Sequence, residues 1–302
     1  MADQIKPRIT EANNPRTRDI DQLSTLEIVT RINQEDVRVP RALRKELPQI
    51  ARAVDLMTAC LQAGGRVFYA GAGSSGRIGV LDASELPPTY SIPAGRVVGI
   101  IAGGDAALRN SVEAAEDDPI AGAEALRTAG LQAGDVLVAI SAGGGAPWVV
   151  GAAQAARQAG AQVVALVCAR GGPLEALADV LIAPVVGPEV IAGSTRMKAG
   201  SAQKMALNML STATMIRLGK VYGNRMVDVR ATNQKLRRRA EGIVVAITGA
   251  DPVLAAEKLA EAGYEVKPVL VMLLAGVDLA EARHRLQAAD GFVRRALENG
   301  AK

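Results

Sequence analysis

Two glutamates stand in settings where a carboxylate is not the obvious choice. Glu85 lies in DASELPP (82–88), and Glu116 opens the run Glu116, Asp117, Asp118 ahead of Pro119. A pair of carboxylates can divide general acid and general base work between them. Hydroxyl and glycine groups surround them in sequence. Residues 66–88 read RVFYAGAGSSGRIGVLDASELPP, so an apolar run ends in glycines, Ser74 and Ser75 follow, and a helical pattern begins. A strand feeding such a turn and a helix N-terminus binds anions, because backbone N–H groups converge there and the helix dipole favours negative charge. Serine hydroxyls add donors that suit a terminal phosphate. A second stretch, GPEVIAGSTRMKAGSAQK (187–204), places Gly193, Ser194 and Thr195 before another helix. Arg196 and Lys198 then fall in its first turn, where the dipole disfavours cations, so an anionic ligand or a carboxylate partner is expected there. Asn208, further along, reads as an interior polar contact.

Taken literally, Gly71, Gly73 and Gly76 also satisfy G-x-G-x-x-G. A dinucleotide site then needs an acidic residue at the end of the next strand. Asp105 lies near that point, but behind Gly103 and Gly104 in what reads as a turn. A glycine fingerprint alone is weak, and the serine pair favours a phosphate over a dinucleotide. The acidic run at 116–118 also has a plain reading, as a cap for the helix that follows. His284 is the only histidine and falls in a charged helical stretch, which argues against histidine catalysis and a histidine-rich metal site. Cys60 and Cys168 sit in apolar contexts, as buried free thiols of a reducing compartment do.

The elements that must position these residues follow from the pattern. Hydrophobic residues are 49% and aromatics 2%, so the core is aliphatic, which favours tightly packed α/β layers and argues against stacking of single-stranded nucleic acid. The net charge of +4 is scattered apart from Arg237–Arg239, which reads as a solvated helix face. No signal-peptide pattern and no apolar run of bilayer length are visible, so a cytoplasmic protein without membrane or nucleic-acid partners is expected. Ser24 and Glu27 form a capping-box pattern for a helix at 24–36, and a second amphipathic helix is expected over 41–63. Continuous β-branched runs at 66–70, 96–102, 135–140, 162–167 and 180–185 alternate with helical segments at 75–85, 105–116, 119–129, 147–159 and 173–178. That alternation predicts a doubly wound parallel sheet. Beyond it, one long helix is expected at 196–218, another at 227–240, and three short ones over 251–300. The expected division is 1–240, an α/β domain with N-terminal helices, and 241–302, a small all-helical domain. Residues 66–76 and 135–145 share a strand, glycine loop, helix order.

The motifs together resemble the N-acetylmuramic acid 6-phosphate etherase family of SIS (sugar-isomerase) domain proteins. The matching segments are TEANNPRT (10–17), STLEIV (24–29), INQED (32–36), GAGSSGRIGVLDASELPPT (71–89), AAEDD (114–118), VVGPEVIAGSTRMKAGSAQK (185–204) and LGKVYGNRMVDVRATNQKL (218–236). The resemblance implies a homodimeric SIS fold and a reaction without metal or redox cofactor. D-lactate is removed from N-acetylmuramic acid 6-phosphate, leaving N-acetylglucosamine 6-phosphate. It implies Glu85 as the acid that protonates the departing lactate oxygen and Glu116 as the base at C2. If 75–85 is one helix, Glu85 lies ~15 Å from Ser75, which predicts active sites shared across the dimer.

One loop departs from the family. After the strand at 135–140 the family resembles A-S-G-R-T-P, but residues 142–147 here read Ala142, Gly143, Gly144, Gly145, Ala146, Pro147. Three side-chain donors are missing, each worth roughly 1.5–3 kcal/mol to a charged ligand. Backbone N–H groups of Gly143, Gly144 and Gly145, with Ser141 beside them, can form a nest for the same anion. The expected phosphate ligands are therefore Gly73, Ser74, Ser75, Gly76, Ser141, Gly143, Gly144, Gly145, Ser194, Thr195 and Lys198. Three readings stay open: a working etherase, an etherase of altered substrate, and a non-catalytic sugar-phosphate sensor. A nucleotide-binding oxidoreductase is the distant fourth.

Overall fold

The computed structural model of the 302-residue chain describes residues 9–229 and 234–298. Two helices, α1 (Thr25–Asp36) and α2 (Arg38–Gln62), precede the sheet. Ser24 caps α1 with the reciprocal Glu27 contact that the capping-box pattern predicts. The α/β alternation then runs β1 (Val67–Gly71), α3 (Gly73–Tyr90), β2 (Val97–Ile101), α4 (Ala106–Arg109) and α5 (Pro119–Thr128). It continues through β3 (Val136–Ser141), α6 (Pro147–Gln158), β4 (Gln162–Val167), α7 (Pro173–Leu177) and β5 (Val180–Ile182).

All four strand pairings are parallel, in the order β2-β1-β3-β4-β5. Every residue of β1 and β3 is buried, because helices cover both faces. On one face Phe68, Leu137, Ala139, Val163 and Ala165 pack with Leu126 of α5 and with Trp148, Val149 and Ala152 of α6. The other face carries α3, close enough that a Cβ on Gly79 would lie 3.1 Å from Ile140 Cδ1, and α2, which contacts β1, β3 and β5. The chain leaves β1 toward β2 on one side and returns to β3 on the other. Ligands of open α/β sheets bind at such a switch point, outside the strand C-termini. Here that point lies between Gly71 and Ser141.

Several local expectations change. α3 does not stop at Pro87 and Pro88 but continues to Tyr90, with Ser91 N–H on Pro87 O (3.0 Å) closing its last turn. The prolines remove two amide donors, yet their fixed φ fits a helix. Glu85 is therefore inside a helix rather than at its end. The helix expected over 105–116 ends at Arg109, because Asn110 turns extended (φ −121°, ψ 156°), and Ala114 adopts φ +58°. α8 (Lys198–Arg217) begins two residues late, and a hairpin of β6 (Val221–Tyr222) and β7 (Arg225–Met226) appears where no strand was expected. The helix α9 spans Gln234–Thr248. Residues 230–233 of the helix expected over 227–240 lie outside the described residues, and 227–229 are not helical. Four helices, not three, follow: α10 (Pro252–Glu261), α11 (Val266–Ala275), α12 (Leu279–Ala288) and α13 (Val293–Glu298).

The chain divides into two compact units. The first runs to Ser84 and resumes over Gly95–Ser211, and the second comprises Glu85–Ala94 with Thr212–Lys302. Residue 240, where the sequence reading divides the chain, falls inside the second unit. Ala240, Ile243 and Val244 share one core with Leu259, Val269 and Leu270, inside the second unit. Among the described residues, no helix is long and apolar enough to cross a membrane.

Candidate active site

A cavity of about 430 Å³ opens at the switch point, within the first unit. Gly73, Ser74 and Ser75 line it from the start of α3, and Ser141, Gly143 and Gly145 from the loop after β3. The N-terminus of α3 brings its first-turn amides to this rim, where intrahelical acceptors are lacking, whereas α6 starts on Pro147, which has no N–H, and its Trp148 N–H is already bonded to Glu116 O. Thr195 and Gly193 add the third loop, and Glu116 supplies a carboxylate.

Two of the three acidic neighbours do different things. Asp118 is the cap of α5, accepting from Ile120 N (2.9 Å) and Ala121 N (3.0 Å). Glu116 sends its backbone carbonyl to Trp148 N–H (2.9 Å), which ties it to the start of α6 and leaves its exposed side chain at the cavity. Arg77 of α3 holds the preceding loop through Ala107 O (2.9 Å) and Asn110 O (3.3 Å). Glu116 is thus fixed to the start of α6, while Arg77 ties α3 to α4 and its C-cap Asn110.

Four of the expected ligands lie elsewhere. Gly76 packs α3 against β1: a Cβ there would sit 2.5 Å from Gly71 O and 2.6 Å from Ile101 Cγ1. Gly144 is buried and takes φ +68°, so it turns the loop while its neighbours line the cavity. Ser194 is half-buried and does not line the cavity. Lys198 is fully buried, and its Nζ donates to Glu35 Oε2 and to Pro188 O (2.6 Å). Of the two partners its position called for, it took the carboxylate and not the ligand. Arg16 and Asn14 also bond Glu35, and Arg16 above all, with Lys198 and Asn14, holds the Glu35 carboxyl down at about 2 despite burial. Glu189 meanwhile accepts from Lys198 N (3.0 Å) and Ala199 N (2.9 Å), and burial pushes its carboxyl up.

One cavity residue was not anticipated. Glu11 lines it, with Oε2 2.9 Å from where a Cβ on Gly193 would stand, and Gly193 takes φ +77°. The N-terminal arm holds Glu11 there by Asn14 Nδ2 on Pro188 O (3.2 Å) and Thr17 Oγ1 on Val190 O (2.8 Å). Its only sequence signal was its place in TEANNPRT. Cys60 and Cys168 are buried and free, and burial pushes the Cys168 thiol up to about 12, so neither is poised as a nucleophile.

Similarity to known proteins agrees with this geometry. A model of the glucokinase regulatory protein N-terminal SIS domain matches residues 49–157, and the SIS domain model matches 121–213. The N-acetylmuramic acid 6-phosphate etherase of Serratia proteamaculans is 53% identical, over 96% of this chain and 97% of the relative. The chain belongs to the N-acetylmuramic acid 6-phosphate etherase family. The etherase of Pectobacterium atrosepticum is 52% identical over 97% of this chain and 96% of its own. A phosphoheptose isomerase from Neisseria gonorrhoeae shares the fold, with TM-score 0.50 and 23% identity over 63% of this chain and 98% of its own. Within this etherase-family chain, Glu116 lines the cavity, whereas the exposed Glu85 belongs to the second unit.

Proposed function

We propose that this chain is an N-acetylmuramic acid 6-phosphate etherase, a carbon–oxygen lyase, and that it works by elimination and hydration at the switch-point cavity. Ring opening makes C1 an aldehyde and acidifies the proton at C2. Glu116 takes that proton, the C3–O bond breaks, and Glu85 protonates the departing D-lactate oxygen. Water then adds at C3 of the unsaturated aldehyde, giving N-acetylglucosamine 6-phosphate. The steps balance with water as the only co-reactant.

The observation that carries this reading is Glu116 in one cavity with Ser74, Ser75, Ser141 and Thr195. Hydroxyls and helix-start amides hold the phosphate, and the glycine nest at Gly143 and Gly145 supplies backbone donors where the family has side chains. Full-length relatives near 50% identity support the etherase over the sensor, altered-substrate and nucleotide readings. We further propose a cytoplasmic homodimer in which Glu85 serves a partner's site, since ten residues of one helix separate it from Ser75, ~15 Å along the axis. Turnover in ¹⁸O-labelled water tests the chemistry. Elimination and hydration put the label at C3 of the sugar and leave the lactate oxygen unlabelled. Label in lactate means attack at the lactyl carbon and contradicts the mechanism.

A further inference from the structure

Ser75 lines the cavity, and its hydroxyl is bonded behind it. Its Oγ donates to Gln203 Oε1 of α8 at 3.0 Å, with Ser75 8% and Gln203 1% exposed. Gln203 does not line the cavity, so it reaches a ligand only through Ser75. The buried Gln203 Nε2 has no hydrogen-bond partner among the described residues. A hydroxyl has one proton. Spent on Gln203, it leaves Ser75 offering lone pairs to a phosphate that only accepts.

The side-chain amide has a second orientation that fills the same space. Turned over, Gln203 Nε2–H donates to Ser75 Oγ, and the Ser75 proton is released toward the cavity. The turn exchanges an unpaired buried donor for an unpaired carbonyl, which folded proteins tolerate better. Glutamine is suited to this relay because its amide carries both a donor and an acceptor at one end. Glutamate at this position would only accept, and an apolar side chain would leave the hydroxyl without direction. We propose that Gln203 is a positioning residue that sets the polarity of the Ser75 hydroxyl, its amide turning over when the substrate phosphate binds. This rests on the assignment of Ser75 to the phosphate.

Steady-state D-lactate release at pH 8, above the ordinary carboxylate range, separates the two claims. Ser75→Ala is expected to raise KM about tenfold or more with kcat little changed. Gln203→Glu, which fixes the Ser75 proton away from the cavity, should match that rise. Gln203→Met, near in size, should raise KM by a smaller factor. Neither change should raise KM further in a Ser75→Ala background, whereas a merely structural role would cost the same in both backgrounds. An unchanged KM for Ser75→Ala overturns the phosphate assignment itself. A raised KM for Ser75→Ala beside an unchanged KM for both Gln203 variants overturns only the positioning role. Equal effects of Glu and Met overturn the polarity argument. If the glutamate variant does not fold, additivity of Gln203→Met with Ser75→Ala still decides against the proposal.

Discussion

At the scale of residues, Glu116 and Asp118 show how adjacent carboxylates separate by what their backbones do. Asp118 accepts two amides at the start of α5 on its Oδ1, whereas Glu116 is held by its backbone carbonyl and its side chain lines the cavity. Glu116→Gln should therefore lower kcat by about 10²–10⁴-fold while leaving the melting temperature near that of the parent, as checked by D-lactate assay and thermal unfolding. A kcat within threefold of the parent would remove Glu116 from the base role. The glycine loop makes a second prediction. Gly143→Ser with Ala146→Thr restores two side-chain donors, and KM for the phosphosugar should fall about tenfold or more. An unchanged KM would mean that this loop does not touch the phosphate. Ser74, Ser75 and Glu116 were legible as cavity residues because their neighbours are turn and helix-start residues. Lys198 was legible as a cation in want of a counter-charge. Its partner Glu35 lies 163 residues away, and no local pattern announces that pairing.

At the scale of elements, the N-terminal arm and α1 are joined to the start of α8 by the buried Glu35 network, and this holds Glu11 and Thr195 at one cavity. The Glu35 carboxyl is depressed to about 2 in the fold, against an ordinary value near 4.5. A depressed acid stabilises the fold above its unfolded value and loses that contribution as pH falls through its folded one. About 3 kcal/mol is thus expected to be present near neutrality and to fade between roughly pH 5 and 2. Urea unfolding across that range checks it, and Glu35→Gln should flatten the dependence. The same substitution leaves Lys198 buried without its anion and should destabilise by about 3–5 kcal/mol. An acid profile identical in parent and Glu35→Gln would show that the network is not the source. The segment 10–17 has no apolar period. Its order comes instead from Asn14, Arg16 and Thr17 reaching partners far along the chain, which periodicity does not report. The helix expected over 75–85 runs on to Tyr90, because the two prolines lose their own amide bonds but their fixed φ still fits a helix.

At the scale of the whole molecule, the five parallel strands were legible because each is a short, continuous apolar run, buried throughout in the central β1 and β3. The division into units was less so, since its boundaries fall within α3 and α8, where the helical pattern runs unbroken. Glu85 consequently belongs to the second unit. Sharing of sites across a homodimer predicts complementation: an inactive Glu85→Gln chain mixed with an inactive Glu116→Gln chain should recover part of the activity. Verified mixed dimers without recovery would place both residues' work in one subunit. The central claim, that the cavity between β1 and β3 cleaves the lactyl ether, is met most directly by one assay. N-acetylmuramic acid 6-phosphate is incubated with the parent chain and with Glu116→Gln, and D-lactate is measured. Steady release by the parent, reduced at least a hundredfold in the variant, is the predicted result. No D-lactate from the parent, or equal release from both, would contradict it.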